Sequence, residues 1–298
     1  MYDSPVPEQV PPARTSRSEP RQATELKALR ERHPELTDAV NMHLELFDLD
    51  RRVRVRIPLP FLDLSDETLA RHAAEGRPLL RFEDIPLELS DLRLMVRQTA
   101  DILRRFGALD DDDSREIQLL GRDMKLLAVV GAWYRSPAEQ RTARVAPLPA
   151  VSNEEPLNGM LGQVLTQAMQ PFLSRCAEAL QPRAELARWT HAYCALCGGE
   201  PDFAVITMSG ERQLCCSRCT LRWTSDPLAC PYCANSDRTR ITSFATPDRV
   251  YRVYGCDSCR RYLKACDSRH ASRPVMPVVD GVATLPLDAA AIKRGYVS

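Results

Sequence analysis

The chain has 298 residues, with 40 Lys plus Arg against 40 Asp plus Glu, so its formal net charge is zero. That length suits two domains, and the neutral balance offers no global footprint for nucleic acid or an anionic membrane. No apolar run approaches the roughly 20 residues that cross a bilayer. The first residues carry neither the apolar core of a secretory signal nor a twin-arginine motif. A cytoplasmic protein without membrane insertion is expected.

Residues 1–22 hold Pro5, Pro7, Pro11, Pro12 and Pro20 among polar residues and read as a disordered tail. From 23 to 190 the pattern is helical. Leu89, Leu92, Val96, Leu103 and Phe106 recur at three- and four-residue steps and form one apolar stripe. Asp110 to Asp113 precede Ile117, Leu120, Met124 and Leu127. The acidic run fits a helix N-terminus, where carboxylates meet the positive end of the dipole, and lacks EF-hand spacing. Ser136-Pro137 has the N-cap and N1 signature of another helix start. Leu157, Leu161, Val164, Leu165 and Ala168 make a further stripe, with Pro171 marking a kink or break. Val53 to Ile57 alternates with Arg and is the one strand signal in this half, ended by Pro58 and Pro60. The five histidines are scattered, none with a partner at ligand spacing; His191 stands just before the first cysteine pair and reads as a surface group.

The chemistry is concentrated further on. Four Cys-x-x-Cys pairs occur at Cys194/Cys197, Cys216/Cys219, Cys230/Cys233 and Cys256/Cys259. Eighteen residues separate the first pair from the second and twenty-two the third from the fourth, which is four-cysteine metal-site spacing written twice. Each turn aims two sulfurs at one point, and two turns supply a tetrahedron of thiolates. Gly198 and Gly199 suit a tight knuckle. Phe203 to Met208, Thr239 to Phe244 and Arg249 to Tyr254 read as strands, with turns at Ser209-Gly210 and Pro247-Asp248. Units of this size rarely fold without a metal or staples, and a structural tetrathiolate ion contributes on the order of 10 kcal/mol. Sequential pairing, first with second and third with fourth, closes the shorter loops and is expected over a cross-brace.

Disulfides do not suit a reducing compartment. A thioredoxin-type dithiol needs one pair at a strand-to-helix junction, not four among short strands. Of the remaining cysteines, Cys176 falls on an apolar helix face, Cys215 adjoins a ligand position and Cys266 reads as a free surface thiol. After the cysteine region, Pro274 to Val278 reads as extended, Asp280-Gly281 as a turn and Leu285 to Arg294 as a short helix. No nucleophile triad, phosphate loop or paired-carboxylate motif is present, so no enzyme activity is expected.

Small cysteine ribbons often bind nucleic acid. From His191 to Pro274 there are twelve Arg plus Lys against eight Asp plus Glu. Two zinc tetrathiolates would add about −4 and two ferric ones about −2, leaving the region near neutral. That is not a phosphate-binding footprint. Trp223, Tyr232, Tyr251, Tyr254 and Tyr262 serve better as core.

Arg212-Gln213-Leu214 before Cys216, Trp223, Cys230-Pro-Tyr-Cys233, and Cys256-Asp-Ser-Cys259 followed by Tyr262-Leu263-Lys264 together resemble the formate dehydrogenase accessory protein FdhE family. Asp280, Thr284-Leu285, Leu287-Asp288 and Gly295-Tyr296 resemble its tail. The likeness is specific from about Cys194 to Tyr296 and weaker over the helical half. It departs at Cys194-Ala-Leu-Cys197, where the family usually has Pro after the first Cys, and at Cys215, where histidine is familiar.

The resemblance implies an all-α N-terminal domain (23–190), then two tandem rubredoxin-like, zinc-ribbon-type modules (191–226 and 227–274) and a C-terminal extended segment with a short helix (275–298). It implies a non-enzymatic maturation factor that contacts the catalytic subunit of respiratory formate dehydrogenase before export, in the cytoplasm. Its metal ligands would be Cys194, Cys197, Cys216, Cys219, Cys230, Cys233, Cys256 and Cys259, holding two ions, iron favoured and zinc the alternative. A nucleic-acid-binding ribbon protein and a thiol or iron redox protein are the alternative classes.

Overall fold

The computed structural model describes residues 20–143, 159–180 and 189–297; the proposed tail to residue 19 and Leu157 lie outside them. The helical half comprises α1 (Arg21–Arg32), α2 (Thr37–Arg54), α3 (Asp66–Glu75), α4 (Leu89–Arg105), α5 (Asp111–Leu120), α6 (Leu126–Ala143) and α7 (Met160–Leu180). Helix α4 packs against α2, α5 and α7. Its stripe is as the periodicity predicts: Leu92, Val96 and Leu103 are buried, joined by Met95 and Ala100. Helix α7 is buried around much of its circumference, with Val164, Leu165, Ala168, Met169, Phe172 and Leu173 all inaccessible.

Several local expectations give way to tertiary context. Val53 and Arg54 close α2 and the chain turns at Val55, so the Arg alternation is a helix end, not a strand. Val53 is buried, and Arg51, Arg52 and Arg54 sit where the dipole favours cations. Asp110 does cap α5, accepting from the backbone N–H of Asp113 at 2.8 Å. The stripe that follows stops at Gly121, however, leaving Met124 exposed. Helix α6 starts at Leu126, so Ser136 and Pro137 lie inside it. Pro171 lies within an unbroken α7. The burial of that helix outweighs the roughly 3 kcal/mol a mid-helix proline costs.

The cysteine half holds β1 (Pro201–Ile206), β2 (Arg212–Cys216), β3 (Arg222–Ser225), β4 (Ile241–Ala245), β5 (Tyr251–Cys256) and β6 (Tyr262–Asp267). All six form one sheet in the order β3-β2-β1-β6-β5-β4. Each cysteine unit runs knuckle, strand, strand, knuckle, strand and makes an antiparallel three-stranded piece. The pieces join head to tail, because β1 of the first pairs in parallel with β6 of the second, Phe203 opposite Lys264. A bulge in β1 falls at Asp202: Pro201 faces Cys216 and Phe203 faces Cys215.

Two helices close the chain, α8 (Pro277–Ala283) and α9 (Leu285–Lys293). The expected extended stretch therefore becomes helical at Pro277, and Asp280-Gly281 is not a turn. Pro277 occupies the first helical position, and the Asp280 carboxylate accepts from the Met276 backbone N–H at 2.6 Å. Helix α8 packs on α1, with Leu26, Leu29, Val279 and Val282 in a separate apolar cluster. The tail residues are anchors. Asp280 accepts from the Tyr251 hydroxyl at 2.7 Å, and Asp288 accepts from the Tyr262 hydroxyl and Lys264 at 2.8 and 2.6 Å. The ring of Tyr296 fills the space where a side chain at Gly255 would stand, 2.5 Å from its Cβ position.

Candidate metal centres

The eight paired cysteines gather into two groups: Cys194, Cys197, Cys216 and Cys219, and Cys230, Cys233, Cys256 and Cys259. Within each group the sulfurs lie within 4.8 Å of one another. Sequential pairing is thus the geometry present, and no cross-brace forms. In the first group Cys194–Cys219 and Cys197–Cys216 are 3.5 Å apart; in the second, Cys230–Cys259 and Cys233–Cys256 are 3.7 Å apart. A tetrahedron with metal–sulfur bonds of about 2.3 Å has edges of about 3.8 Å. The donor sets fit a four-coordinate ion that prefers thiolate.

One backbone device builds all four knuckles. The residue after each second cysteine donates its N–H to the first cysteine's carbonyl: Gly198 to Cys194, Thr220 to Cys216, Ala234 to Cys230 and Arg260 to Cys256, at 2.8–3.1 Å. Each first cysteine in turn donates to the carbonyl five residues on, at 2.8–2.9 Å. The donating residue must be left-handed, with φ of 71°, 61°, 57° and 61° in order. Only Gly198 takes this conformation without steric cost; the others bear a strain of roughly 1–2 kcal/mol. Ala234→Gly is expected to stabilise the metal-loaded protein by about 0.5–1 kcal/mol after the glycine's unfolded-state entropy is deducted. Urea unfolding would measure it, and a loss of stability would contradict the strain. Gly199 has a different role, since a Cβ there would meet the Cys216 sulfur at 2.9 Å.

The groups differ in setting. The first is wholly buried; in the second Cys233 is exposed and Cys259 half-exposed. Burial raises the thiol pKa of Cys194 and Cys219, while hydrogen bonds from Cys194, Cys216 and Cys219 lower that of Cys197. In the second group burial pushes Cys256 up, but the backbone N–H groups of Cys259 and Ser258 and the neighbouring thiols bring it down to about 7. One thiolate in each group is favoured at its neighbours' expense. A bound cation would remove that conflict, because four thiolates need a central positive charge.

Arg218 seats the first group against the helices. Its guanidinium donates to the carbonyls of Trp133 and Tyr134 at 3.0 Å each and lies 3.9 Å over the Trp133 ring. Leu79 and Leu80 donate backbone N–H to the carbonyls of Ala195 and Leu196 at 2.9 Å, lacing the first knuckle to the loop after α3. His191 is half-buried and its ring is engaged, not free at the surface. Its ring packs edge-on to Trp189 and stacks on Tyr193, and its Nε2 lies 3.1 Å from the Ala73 carbonyl. Nothing in the spacing of these residues announced them, since each acts across a long sequence separation.

The three remaining cysteines are buried. Cys176 lies inside α7 as expected, but Cys266 is 1 % exposed, not a surface thiol, and packs with Cys215, Phe203 and Val205. Burial lifts all three to about 12, leaving protonated, unreactive thiols at neutral pH. Among the described residues, no helix is long and apolar enough to cross a membrane.

No protein-family model matches the chain. A crystal structure of the FdhE protein from Pseudomonas aeruginosa aligns with a TM-score of 0.58 over 93 % of this chain and 91 % of that one, at 23 % identity, which establishes a common fold. Proteins called FdhE from Escherichia coli and Escherichia fergusonii are 30 % identical over 107 residues. The chain is thus similar to FdhE proteins, in fold over nearly its whole length and in sequence over about a third of it. The match spans 35 % of this chain and only about a third (34 %) of the length of those Escherichia FdhE proteins. The FdhE fold here is therefore a helical half followed by a small sheet carrying two four-cysteine clusters.

Proposed function

We propose that this chain is a non-enzymatic accessory factor in the maturation of respiratory formate dehydrogenase, holding its catalytic subunit in the cytoplasm before export. Two metal ions, iron in preference to zinc, would be held by Cys194, Cys197, Cys216 and Cys219 and by Cys230, Cys233, Cys256 and Cys259. The observation that carries this reading is the closure of each cluster: four convergent sulfurs leave no position for substrate or water. Such ions shape a surface instead of performing Lewis-acid chemistry. The family name links the reading to formate dehydrogenase.

The test is co-purification of the full chain with the formate dehydrogenase catalytic subunit, with metal measured on anaerobic protein. Two ions per chain and a stable complex are expected, with Cys219→Ser losing one ion and the complex together. A folded, metal-loaded chain with no affinity for that subunit would refute the reading. The exposure of Cys233 and Cys259 favours one alternative. With iron bound, the second cluster could pass single electrons at the surface, so Cys256→Ser would abolish formate dehydrogenase activation while leaving the complex intact.

A further inference from the structure

The two cysteine units are built alike, yet a strip of backbone that is paired in the first is unpaired in the second. Pro201 faces Cys216 in one and Ile241 faces Cys256 in the other, so β4 is the counterpart of β1. Strand β1 pairs with β2 on one side and, in parallel, with β6 on the other; β4 pairs with β5 alone, at the rim of the sheet. Asp257 donates its backbone N–H to the Arg240 carbonyl at 2.8 Å, and Thr246 donates to the Tyr251 carbonyl at 2.9 Å. By alternation the backbone groups of Thr242 and Phe244 face β5, and those of Ile241, Ser243 and Ala245 face outward. The Ile241 N–H is taken by the Arg238 carbonyl. The Ile241 carbonyl and both backbone groups of Ser243 and Ala245 have no partner among the described residues. The strand carries no proline, bulge or charge of the kind that guards an edge.

Charge around this edge is one-sided. Residues 191–226 hold three Lys plus Arg against four Asp plus Glu, whereas residues 227–261 hold six against three. Arg238 and Arg240 precede β4 and Arg249 follows it; all three are exposed and make no ion pair among the described residues. The acids beside them are turned into their own loops, Asp237 accepting from Thr239 and Asp248 from Thr246 and Val250. From α9, the Arg294 guanidinium lies 4.3 Å from the centre of the Phe244 ring and adds a further cation at the strand.

We infer that β4 is a docking edge for an extended acidic segment of a polypeptide, which joins the six-stranded sheet as one more strand. The Ile241 carbonyl, both groups of Ser243 and the Ala245 N–H are the four that a parallel strand takes up, as β6 does on β1. Carboxylates toward the ends of the segment would meet Arg238, Arg240 and Arg249, which no acid of this chain engages. A second copy fits less well, since two such edges side by side bring the unpaired arginines of both together. A nucleic-acid strand would meet the arginines and leave the backbone groups of β4 unused. The inference does not depend on the accessory role.

Fluorescence anisotropy on the metal-loaded full chain tests this with a labelled, blocked peptide, Glu-Glu-Val-Thr-Val-Asp-Glu. Binding tighter than about 1 mM is expected, weakening as salt rises. The same peptide N-methylated on its core amides should bind at least about tenfold more weakly, because it cannot donate to the edge. A peptide with lysine at each acidic position should lose at least about tenfold as well. Ser243→Pro should weaken binding to the same degree with both ions retained, since proline is tolerated where the N–H points away from the sheet. Arg238→Ala together with Arg240→Ala should lower affinity and flatten the salt dependence. No binding up to about 1 mM, or undiminished binding of the N-methylated or the lysine peptide, would overturn the inference. So would undiminished binding by Ser243→Pro protein, tighter binding of a thymidine oligonucleotide, or a dimer in sedimentation that Ser243→Pro dissolves.

Discussion

A chelator with a colour readout is expected to take the metal from this protein in two steps of one ion each. The fast ion comes from the second cluster, where Cys233 is exposed and Cys259 half-exposed. The slow one comes from Cys194, Cys197, Cys216 and Cys219, all at most 4 % exposed. To reach those sulfurs the chelator must wait for the helices to part from the first knuckles. A local opening costing about 3 kcal/mol separates the two rates by roughly a hundredfold. Cys256→Ser should erase the fast step alone. Cys219→Ser should erase the slow step and, with it, much of the near-ultraviolet signal of Trp133 and Trp223. Release of both ions at one common rate would show that the burial difference does not govern access.

Arg218→Met is expected to cost about 3–5 kcal/mol in urea unfolding of the metal-loaded protein. Arg218 is 7 % exposed, and both of its carbonyl partners belong to α6. Burial pulls the guanidinium pKa down, while the nearby Cys197 and Cys216 thiolates pull it up. Removing the side chain strands the buried Trp133 carbonyl, whose helical donor position is Pro137 and has no N–H, and takes a positive charge from beside a thiolate cluster. Arg218→Lys should recover less than half of the loss, since an ammonium cannot fork to two carbonyls while lying flat on Trp133. A cost below about 1 kcal/mol for Arg218→Met would mean that the helices are held on the cluster by apolar packing alone.

What could be read from the sequence was whatever is local in the chain. A Cys-x-x-Cys pair carries its geometry within a few residues, so eight positions and their grouping were visible before any coordinates. The α4 stripe and the Asp110 cap were visible for the same reason. Failures came where a partner far along the chain decides. Cys266 lies near the end of its strand, and it is buried against Phe203 and Val205 of the parallel partner β1 and beside Tyr251 of β5. Pro277 falls in a stretch that reads as extended until Asp280 and α1 are in place to hold a helix there.

The parallel seam between β1 and β6 has a further consequence. It is a heterologous contact, so it does not close on itself, and the strip at β4 matches in kind the strip that β1 presents to β6. Left bare at both ends, such a sheet would polymerise copy upon copy. At the other end β3 is only four residues long, and its Arg222 and Trp223 side chains donate to the Val275 and His191 carbonyls, which ties two further segments of the chain to that strand. So short a strand is a poor template for a further copy, and the pairing repeats no further than two units within the chain.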